Sequence, residues 1–576
     1  MPKSNKKVLV FLILQVLPLV MMYGQDIGNL KDEKPFTISG GVGGGLTFFS
    51  SNEPNSSRDP FTWNLHGSFI PSIYGLSLPF SFNVSQYSES YEDPFTQFGI
   101  SPSYKWAKLH LGYRSIQFSP FVFDGQNFLG AGVEINPGLF YLASFYGRTN
   151  KAISIDTTQV NNAEPKYARN AYGIKVGIKD SSKELTLMYM RVKDKVSSIK
   201  KETSQDSLYQ INPEGNTVLG LTWKFPISKS LTWQGDIAAS LLTRDISLGV
   251  LDEVEEVKIP KIIQKISPFN YTSVFSWSGQ TQLSLSLKKF NAMIGYKRIQ
   301  PDFKSLGIPY MIDDIEMINV NMGARLIKGK WSMNAAFTTQ NNNLDGMRNS
   351  KLVTNTGNFS TNIFVSNNFN INANLTGVEV QQKDGLTKLT DSTRVDQLML
   401  TYTLVPSLNF TGEAHQHSIS TSLTYTDLND KNPATQEQTK GNNFNASANY
   451  SLYFIQKYFG VNSNVIYSNY KTSSNEYSSV GLNLGANVQL LKKHNLMLQA
   501  NAGYFVNEAT DSPTGNNTTF NFSANFSPNR HHRFGISTSY TMTPPVNLNP
   551  LNEIDKVPYA VNSKLFSGSI NYTYKF

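Results

Sequence analysis

Two histidines in the last third of the chain are the first candidates for chemistry. His415 and His417 lie two residues apart, so on a β-strand both imidazoles lie on one face, where they could hold a metal ion. The chain has no cysteine, and no carboxylate pair lies near them in sequence to complete a ligand set. We therefore predict structural roles for the histidines, and neither a metal site nor a cofactor.

The glycine-rich run 40–45 has the composition of a phosphate-binding loop. It lacks the Gly-Lys-Ser/Thr ending of such loops, and the residues Leu-Thr-Phe-Phe follow it directly. Glycines in a barrel strand more often give curvature or clearance for an aromatic neighbour. No Gly-x-Ser-x-Gly nucleophile elbow occurs in the chain. We predict no catalytic residue and expect that the protein is not an enzyme.

Four basic residues fall on the polar face of alternating stretches: Arg114, Lys175, Lys179 and Arg325. If these faces line a lumen, a cluster of such cations would favour the passage or docking of anions. In the alternative interpretation they are scattered lumen charges, each paired with Asp or Glu. The sequence leaves both interpretations open.

The elements that position these residues are stretches in which apolar and polar residues alternate. Clear examples lie at 172–179, 282–287, 318–326 and 480–490. A strand turns successive side chains to opposite faces, so each stretch predicts a strand with one apolar and one polar face. Helical periodicity is nearly absent.

The number and spacing of the stretches predict the fold. We count about 26, with a range of about 24–26, and long connections such as 157–170 alternate with short ones such as 180–183. An even strand number with connections sorted by length is typical of bacterial outer-membrane barrels. The sequence predicts one all-β fold, a single large transmembrane antiparallel β-barrel over residues 36–576, without a plug or periplasmic domain.

Composition agrees with a barrel. Charged residues make up only 16% of the chain, below the roughly 25% usual for soluble domains. Ser, Asn, Thr and Gly, together with 28 Tyr and 36 Phe, take their place, as a wet lumen and aromatic girdles require. No dense Lys/Arg stripe indicates nucleic acid. The net charge of +9 is mild over 576 residues and fits contact with anionic lipid or lipopolysaccharide.

The chain begins with the pattern of a secretory signal. Lys3, Lys6 and Lys7 precede an apolar run of about 15 residues that ends near Gly24, too short for a spanning helix. We predict a signal peptide over residues 1–24 and a short periplasmic segment over 25–35. Removal of the three lysines leaves a charge near +6.

The chain ends in SGSINYTYKF, whose alternation puts Ile570, Tyr572, Tyr574 and Phe576 on one face. We expect this last strand to close the barrel against the first one. An aromatic C-terminus of this kind resembles the terminal signature of bacterial outer-membrane proteins. The segment from Gln97 to Pro120 and the Asn-, Ser- and Tyr-rich composition resemble uncharacterised outer-membrane barrels of Bacteroidota, which implies a Gram-negative source but no activity.

A barrel this wide needs something inside it, since width grows with strand number. The longest connection, Ile246–Tyr271, has mixed helical character and is our candidate for an internal gating or docking loop. Its apolar stripe comprises Leu251, Val254, Val257, Ile262, Ile263 and Ile266. An ordinary surface loop is the alternative.

Two functions remain open. The first is a porin-like transport or translocation conduit for a polar solute or polypeptide. The second is a non-transporting scaffold whose lumen or outer loops hold a partner protein or a glycan. In both, the protein is integral to the outer membrane with periplasmic termini, extracellular long loops and, where the lumen is filled, a lumen-filling or periplasmic protein partner.

Overall fold

The structure is a computed structural model with side chains. The predicted signal peptide, 1–24, and nearly all of the segment 25–35 lie outside the residues it describes. The described residues are 35–52, 58–73, 76–86, 99–153, 165–199, 211–251, 253–254, 257–258, 267, 269–510, 512–543 and 563–576.

The described chain forms one antiparallel barrel wall of 26 strands. Alternating residues favour this wall because they place polar side chains on one face of each strand and apolar side chains on the other. Two of the strands, β3 and β4, are each broken into two short pieces. The strands are β1 Phe36–Ser51, β2 Phe61–Ile73, β3 Leu76–Ser77 with Phe80–Ser85, β4 Gly99–Ile100 with Ser103–Tyr104, β5 Ala107–Arg114, β6 Phe128–Ile135, β7 Phe140–Asn150, β8 Arg169–Lys179, β9 Glu184–Asp194, β10 Gly215–Pro226, β11 Leu231–Thr243, β12 Ser273–Ser286, β13 Phe290–Ile299, β14 Ile315–Leu326, β15 Trp331–Asn341, β16 Ser350–Phe364, β17 Phe369–Asp384, β18 Asp396–Thr411, β19 His415–Asp430, β20 Gly441–Phe454, β21 Phe459–Thr472, β22 Glu476–Leu490, β23 Leu496–Ala509, β24 Ser512–Phe526, β25 His532–Thr543 and β26 Ser563–Lys575.

The barrel is closed by its first and last strands. β1 pairs with β26 in register from Gly41 opposite Lys575 to Ser51 opposite Leu565, so neither strand is left as an open edge in lipid. The predicted fold and the strand number are confirmed, and β1 begins at Phe36. No separate plug domain is present among the described residues.

Helical structure is minor in the part of the chain that is described. It consists of one short helix, α1 Gln436–Thr439, and the 3₁₀ turns Val196–Ser198 and Ile327–Gly329. None of the described helices is long and apolar enough to cross a membrane.

The outer surface of the wall is apolar. On β8 the even-numbered side chains from Tyr172 to Ile178 are exposed, while Ala171 and Lys175 on the opposite face are buried. A soluble sheet would bury these aliphatic side chains and expose the lysine. The wall is therefore built for lipid outside and for protein or water inside.

The two ends of the barrel differ. At one end, here the short-turn end, strands are joined by tight connections such as 180–183 and 227–230; the other, the long-loop end, carries connections such as 151–168 and 195–214. Aromatic rings line the short-turn end, for example Phe454 and Phe459 with centroids 5.9 Å apart. This belt continues across the closure, where the ring of Phe576 lies 6.2 Å from that of Phe69.

Two connections from the long-loop end fold into the lumen. We call residues 115–127 and 300–314 together the lumen insert. Its two segments are joined by Ser305 Oγ, which donates to the carbonyl of Val122 at 2.6 Å, and by the Asp124 N–H, which donates to the carbonyl of Gly307 at 3.3 Å. The buried apolar core of the described chain therefore lies inside the barrel.

Candidate functional site

The lumen insert packs on one half of the wall. Its buried members are Ile116, Phe118, Phe121, Val122, Phe123, Phe303 and Leu306. They meet apolar side chains that β6 to β13 direct into the lumen: Phe128, Tyr141, Ala143, Phe145, Ala171, Met188, Met190, Val192, Val218, Ala238, Leu242 and Ile299. Each fully buried aromatic or aliphatic side chain contributes about 1.5–3 kcal/mol, so this packing stabilises the insert in its position against the wall.

Aromatic rings form the centre of this packing. The ring of Phe123 lies 4.4 Å from that of Phe145, centroid to centroid, and the Phe118 ring meets Phe145 edge-on at 5.6 Å. The rings of Phe121 and Phe303, one from each segment, meet at 6.3 Å. Such pairs add stabilisation beyond their buried area, so the two segments and the wall form one packed unit.

Glycines of the wall make room for the insert. A Cβ atom placed on Gly173 would lie 2.8 Å from the ring of Phe118, and one placed on Gly220 would lie 2.6 Å from Cγ2 of Val122. Any larger side chain at these positions would collide with the insert. The wall sequence is therefore fitted to the insert.

Lys175 anchors the insert by charge. Its Nζ donates to the carbonyl of Phe118 at 2.8 Å and lies 2.9 Å from Oε1 of Glu184, with only 4% of the side chain exposed. Lys179 lies 3.6 Å from the other oxygen of the same carboxylate. The structure thus brings these two predicted lumen cations together. Both pair with Glu184, and Lys175 also holds the backbone of the insert.

The other two predicted lumen cations lie elsewhere. Arg114 donates to Ser81 Oγ at 2.9 Å, to the Pro79 carbonyl at 3.2 Å and to the carbonyl of Gly99, so it ties β3, β4 and β5 together. Arg325, on β14 near the short-turn end, is exposed and makes no ion pair with a described residue. The four residues do not form a single anion site.

A charged network that the sequence did not predict lies next to the insert. Glu134 accepts a hydrogen bond from Tyr141 at 3.1 Å and lies 2.8 Å from His110 Nε2. Lys108 lies 3.7 Å from the same carboxylate. These residues share the lumen face of β5, β6 and β7. In this region of the lumen the charges are paired with one another.

The opposite half of the lumen is lined by uncharged polar side chains. The exposed side chains of Val465, Val480, Leu482 and Leu484 mark the outer face of β21 and β22. The strand register then places seven asparagines on the lumen face of β20 to β24: Asn445, Asn449, Asn462, Asn464, Asn483, Asn501 and Asn521. Hydroxyl pairs such as Thr401 with Thr426, at 3.1 Å, continue the lining onto β18 and β19. Among described residues, no member of the buried apolar core comes from this half.

The connection Ile246–Tyr271 was predicted to enter the lumen, but its described residues lie against the outside of the wall. Ser267 Oγ donates to Thr217 Oγ1 at 2.9 Å, and Thr217 is on the outer face of β10, beside the exposed Leu219. The Leu251 N–H donates to the Phe269 carbonyl at 2.9 Å. The flanks of the connection thus cover the outside of the wall, whereas other connections occupy the lumen.

The apolar stripe of that connection is only partly described. Val254 and Val257 pair through their backbones in a two-stranded hairpin, while Ile262, Ile263 and Ile266 lie outside the described residues. Gating or docking by this stripe stays a prediction.

The histidine pair lies on the outer wall. His417 Nδ1 lies 2.9 Å from the hydroxyl of Tyr450, and the ring of His415 meets that of Phe454 edge-on at 5.0 Å. Both histidines belong to the aromatic belt of the short-turn end. Within the described ranges, no group of three or more His, Cys, Asp or Glu residues could hold a metal ion.

Together these features define a closed transmembrane β-barrel whose lumen is filled on one side by its own connections. No protein-family model matches the chain, and no curated protein matches it in sequence.

Solved barrels resemble it distantly. The P pilus usher (PapC) translocation pore has 10% identity and a TM-score of 0.32 over 94% of this chain and 99% of that one. OprD of Pseudomonas aeruginosa has 9% identity and a TM-score of 0.31 over 63% and 91%. OccAB3 of Acinetobacter baumannii has 8% identity and a TM-score of 0.31 over 63% and 93%. At such scores the function has to be argued from this barrel's own residues.

Proposed function

We propose that this protein is an outer-membrane conduit for a polar solute or polypeptide, and that the lumen insert is its gate. In this proposal the termini face the periplasm and the long-loop end faces the outside. The observation that carries it is the division of the lumen. One half is lined by Asn, Ser and Thr with no described apolar filling, and the other half holds the insert.

The width of the barrel supports a conduit. Strands about 4.8 Å apart and tilted by about 40° give a circular 26-stranded barrel a diameter of about 50 Å, measured between opposite backbones. Two short connections cannot fill such a cross-section. A lining of amides and hydroxyls offers hydrogen bonds without binding an ion tightly, as a path for polar cargo requires.

The connectivity of the insert supports a gate. Neither segment adds a strand to the wall, and each is tied to the long-loop end by the strands that flank it. The contacts that hold it are side-chain packing, the Lys175 anchor and a few hydrogen bonds to the wall, such as those from Ser240 Oγ to the Lys304 carbonyl at 2.7 Å and from the Leu306 N–H to Asn216 Oδ1 at 3.1 Å. The insert could therefore leave its seat without opening the barrel.

A reversible cross-link tests the gate. The chain has no cysteine, so Val122→Cys with Gly220→Cys introduces one unique pair at a contact where a Cβ atom added to Gly220 would lie 2.6 Å from a Val122 methyl. In planar bilayers we expect small, steady conductance steps from the oxidised protein and larger, fluctuating steps after reduction. The controls are the two single-cysteine variants and the cysteine-free parent under the same oxidant.

Two outcomes would count against this proposal. Identical steps before and after reduction, with the cross-link verified by mass spectrometry, would show that the insert is not a gate. Silence from the reduced pair and from a variant lacking residues 116–126 would refute the conduit.

Such silence would favour the scaffold function. The polar half, into which none of the described connections packs, gives that alternative its own support, because a permanent partner protein or glycan could occupy it. Co-purification of a stoichiometric partner with the silent protein would then be the expected result.

A further inference from the structure

A cavity of about 1010 Å³ opens at the long-loop end, directly above the insert. Both insert segments contribute to its lining, through Gln126 and Asn127 from the first and Lys304 and Tyr310 from the second. Most of the remaining lining comes from the ends of β7, β8 and β9 and from their connections, and Tyr113 on β5 and Arg244 after β11 complete it. We call this cavity the mouth cleft.

The mouth cleft is strongly cationic. Six basic side chains line it, against two carboxylates. Both carboxylates are already engaged: Arg169 lies 2.6 Å from Asp194 and 2.9 Å from Glu214, and Lys304 lies 2.8 Å from Glu214. The acidic residues of the cleft therefore cannot neutralise its other cations.

Arg244 is also engaged, since it lies 2.6 Å from Asp302, and three cations remain available. Arg148, Lys151 and Lys166 have no carboxylate within ion-pair distance among the residues that the structure describes, and both lysines are exposed. Like charges gathered in a concave site raise the local concentration of anions. Their arrangement favours a ligand that carries several negative charges.

The uncharged lining indicates what kind of anion fits. The amides of Gln126, Asn150 and Asn212 line the same cavity and can both donate and accept hydrogen bonds. The ring of Tyr310 is 95% exposed at the rim. Amides suit the hydroxyl groups of a sugar, and an exposed ring offers an apolar face for stacking.

We infer that the mouth cleft binds an acidic oligosaccharide, with its carboxylates on Arg148, Lys151 and Lys166 and a sugar face on Tyr310. This site does not depend on whether the lumen conducts. Because the insert forms one side of the cleft, a bound saccharide would contact both segments of the insert.

Binding of trigalacturonate to the detergent-purified full chain tests the inference, by isothermal titration calorimetry. Lys151→Ala with Lys166→Ala should weaken binding about tenfold, since each exposed ion pair is worth up to about 1 kcal/mol. The matched control removes two exposed lysines from the opposite side, Lys383→Ala with Lys388→Ala, and should bind as the parent does. Heat-modifiable gel migration checks that each variant is a folded barrel.

Two further ligands, maltotriose and triglutamate, test which chemical class of ligand the mouth cleft binds. Maltotriose, which is neutral, should bind at least tenfold more weakly than trigalacturonate, and Tyr310→Ala should weaken trigalacturonate but leave triglutamate unchanged. Tighter binding of triglutamate than of trigalacturonate would overturn the saccharide assignment in favour of an acidic peptide. No measurable binding of trigalacturonate, or equal losses in the test and control variants, would refute the site.

Discussion

The two halves of this barrel share one wall design and differ in what faces inward. In the half from β5 to β14, the strands β6 to β13 direct apolar side chains such as Met188, Met190 and Val218 into the lumen, where the insert covers them. From β15 to β26 the lumen face carries amides and hydroxyls that remain accessible. Outer faces are apolar in both halves. Only the lumen-facing residues therefore distinguish the half that packs against the insert from the half that has a polar lining.

Identical substitutions at two lumen glycines should give the largest difference between the halves. Gly173→Leu would drive a side chain into the ring of Phe118, whereas a Cβ on Gly485 meets only the flexible amide ends of Asn462 and Asn501. Overpacking of a filled site costs about 1–3 kcal/mol, which shifts the insert toward its unseated position. We expect Gly173→Leu to raise single-channel conductance about twofold, as the filled half opens, and Gly485→Leu to leave it nearly unchanged.

Equal changes from both variants would remove the distinction between the halves. Their fold can be compared by circular dichroism before the bilayer recordings are made.

A second contrast compares two lysines that each pair with glutamate. Lys175 is buried with Glu184, whereas Lys431 and Glu379 have side chains 38% and 27% exposed. Lys175→Met removes the hydrogen bond to the Phe118 carbonyl and leaves the Glu184 carboxylate with only the longer 3.6 Å pair to Lys179, and we expect it to loosen the insert by about 3 kcal/mol. Lys431→Met should cost less than about 1 kcal/mol.

Hydrogen exchange measures this effect locally, because it reports the opening free energy of each segment. Peptides covering 115–127 should exchange faster in Lys175→Met and at the parent rate in Lys431→Met. Unchanged protection in both variants would show that aromatic packing alone holds the insert.

The smallest effect concerns ion selectivity. Arg325 on β14 and Arg533 on β25 are both exposed lumen-side arginines at the short-turn end, one in each half. If ions pass mainly through the polar half, Arg533→Ala should shift the reversal potential in a salt gradient by about a few millivolts toward cations, and Arg325→Ala by less. A larger shift from Arg325→Ala would place the ion path on the side of the insert.

Much of the wall could be predicted from the sequence because its information is local. Alternation assigns both faces of a strand from neighbouring residues, and it placed Lys175 and Lys179 correctly on the inner face. The insert could not be found this way, since residues 115–127 and 300–314 have no periodicity and meet only in the folded barrel. One signal was present: β9, ELTLMYMRVKD, is apolar on both faces, as strands buried on both sides are.

The bond between Ser305 and Val122 joins positions 183 residues apart. Contacts of such long range form late, because the intervening chain must be ordered first. We therefore expect the wall from β6 to β13 to assemble before the second segment docks on the first. In that order Met188, Met190, Val192 and Val218 would lie uncovered on a growing sheet, and the nascent barrel would need protection from aggregation.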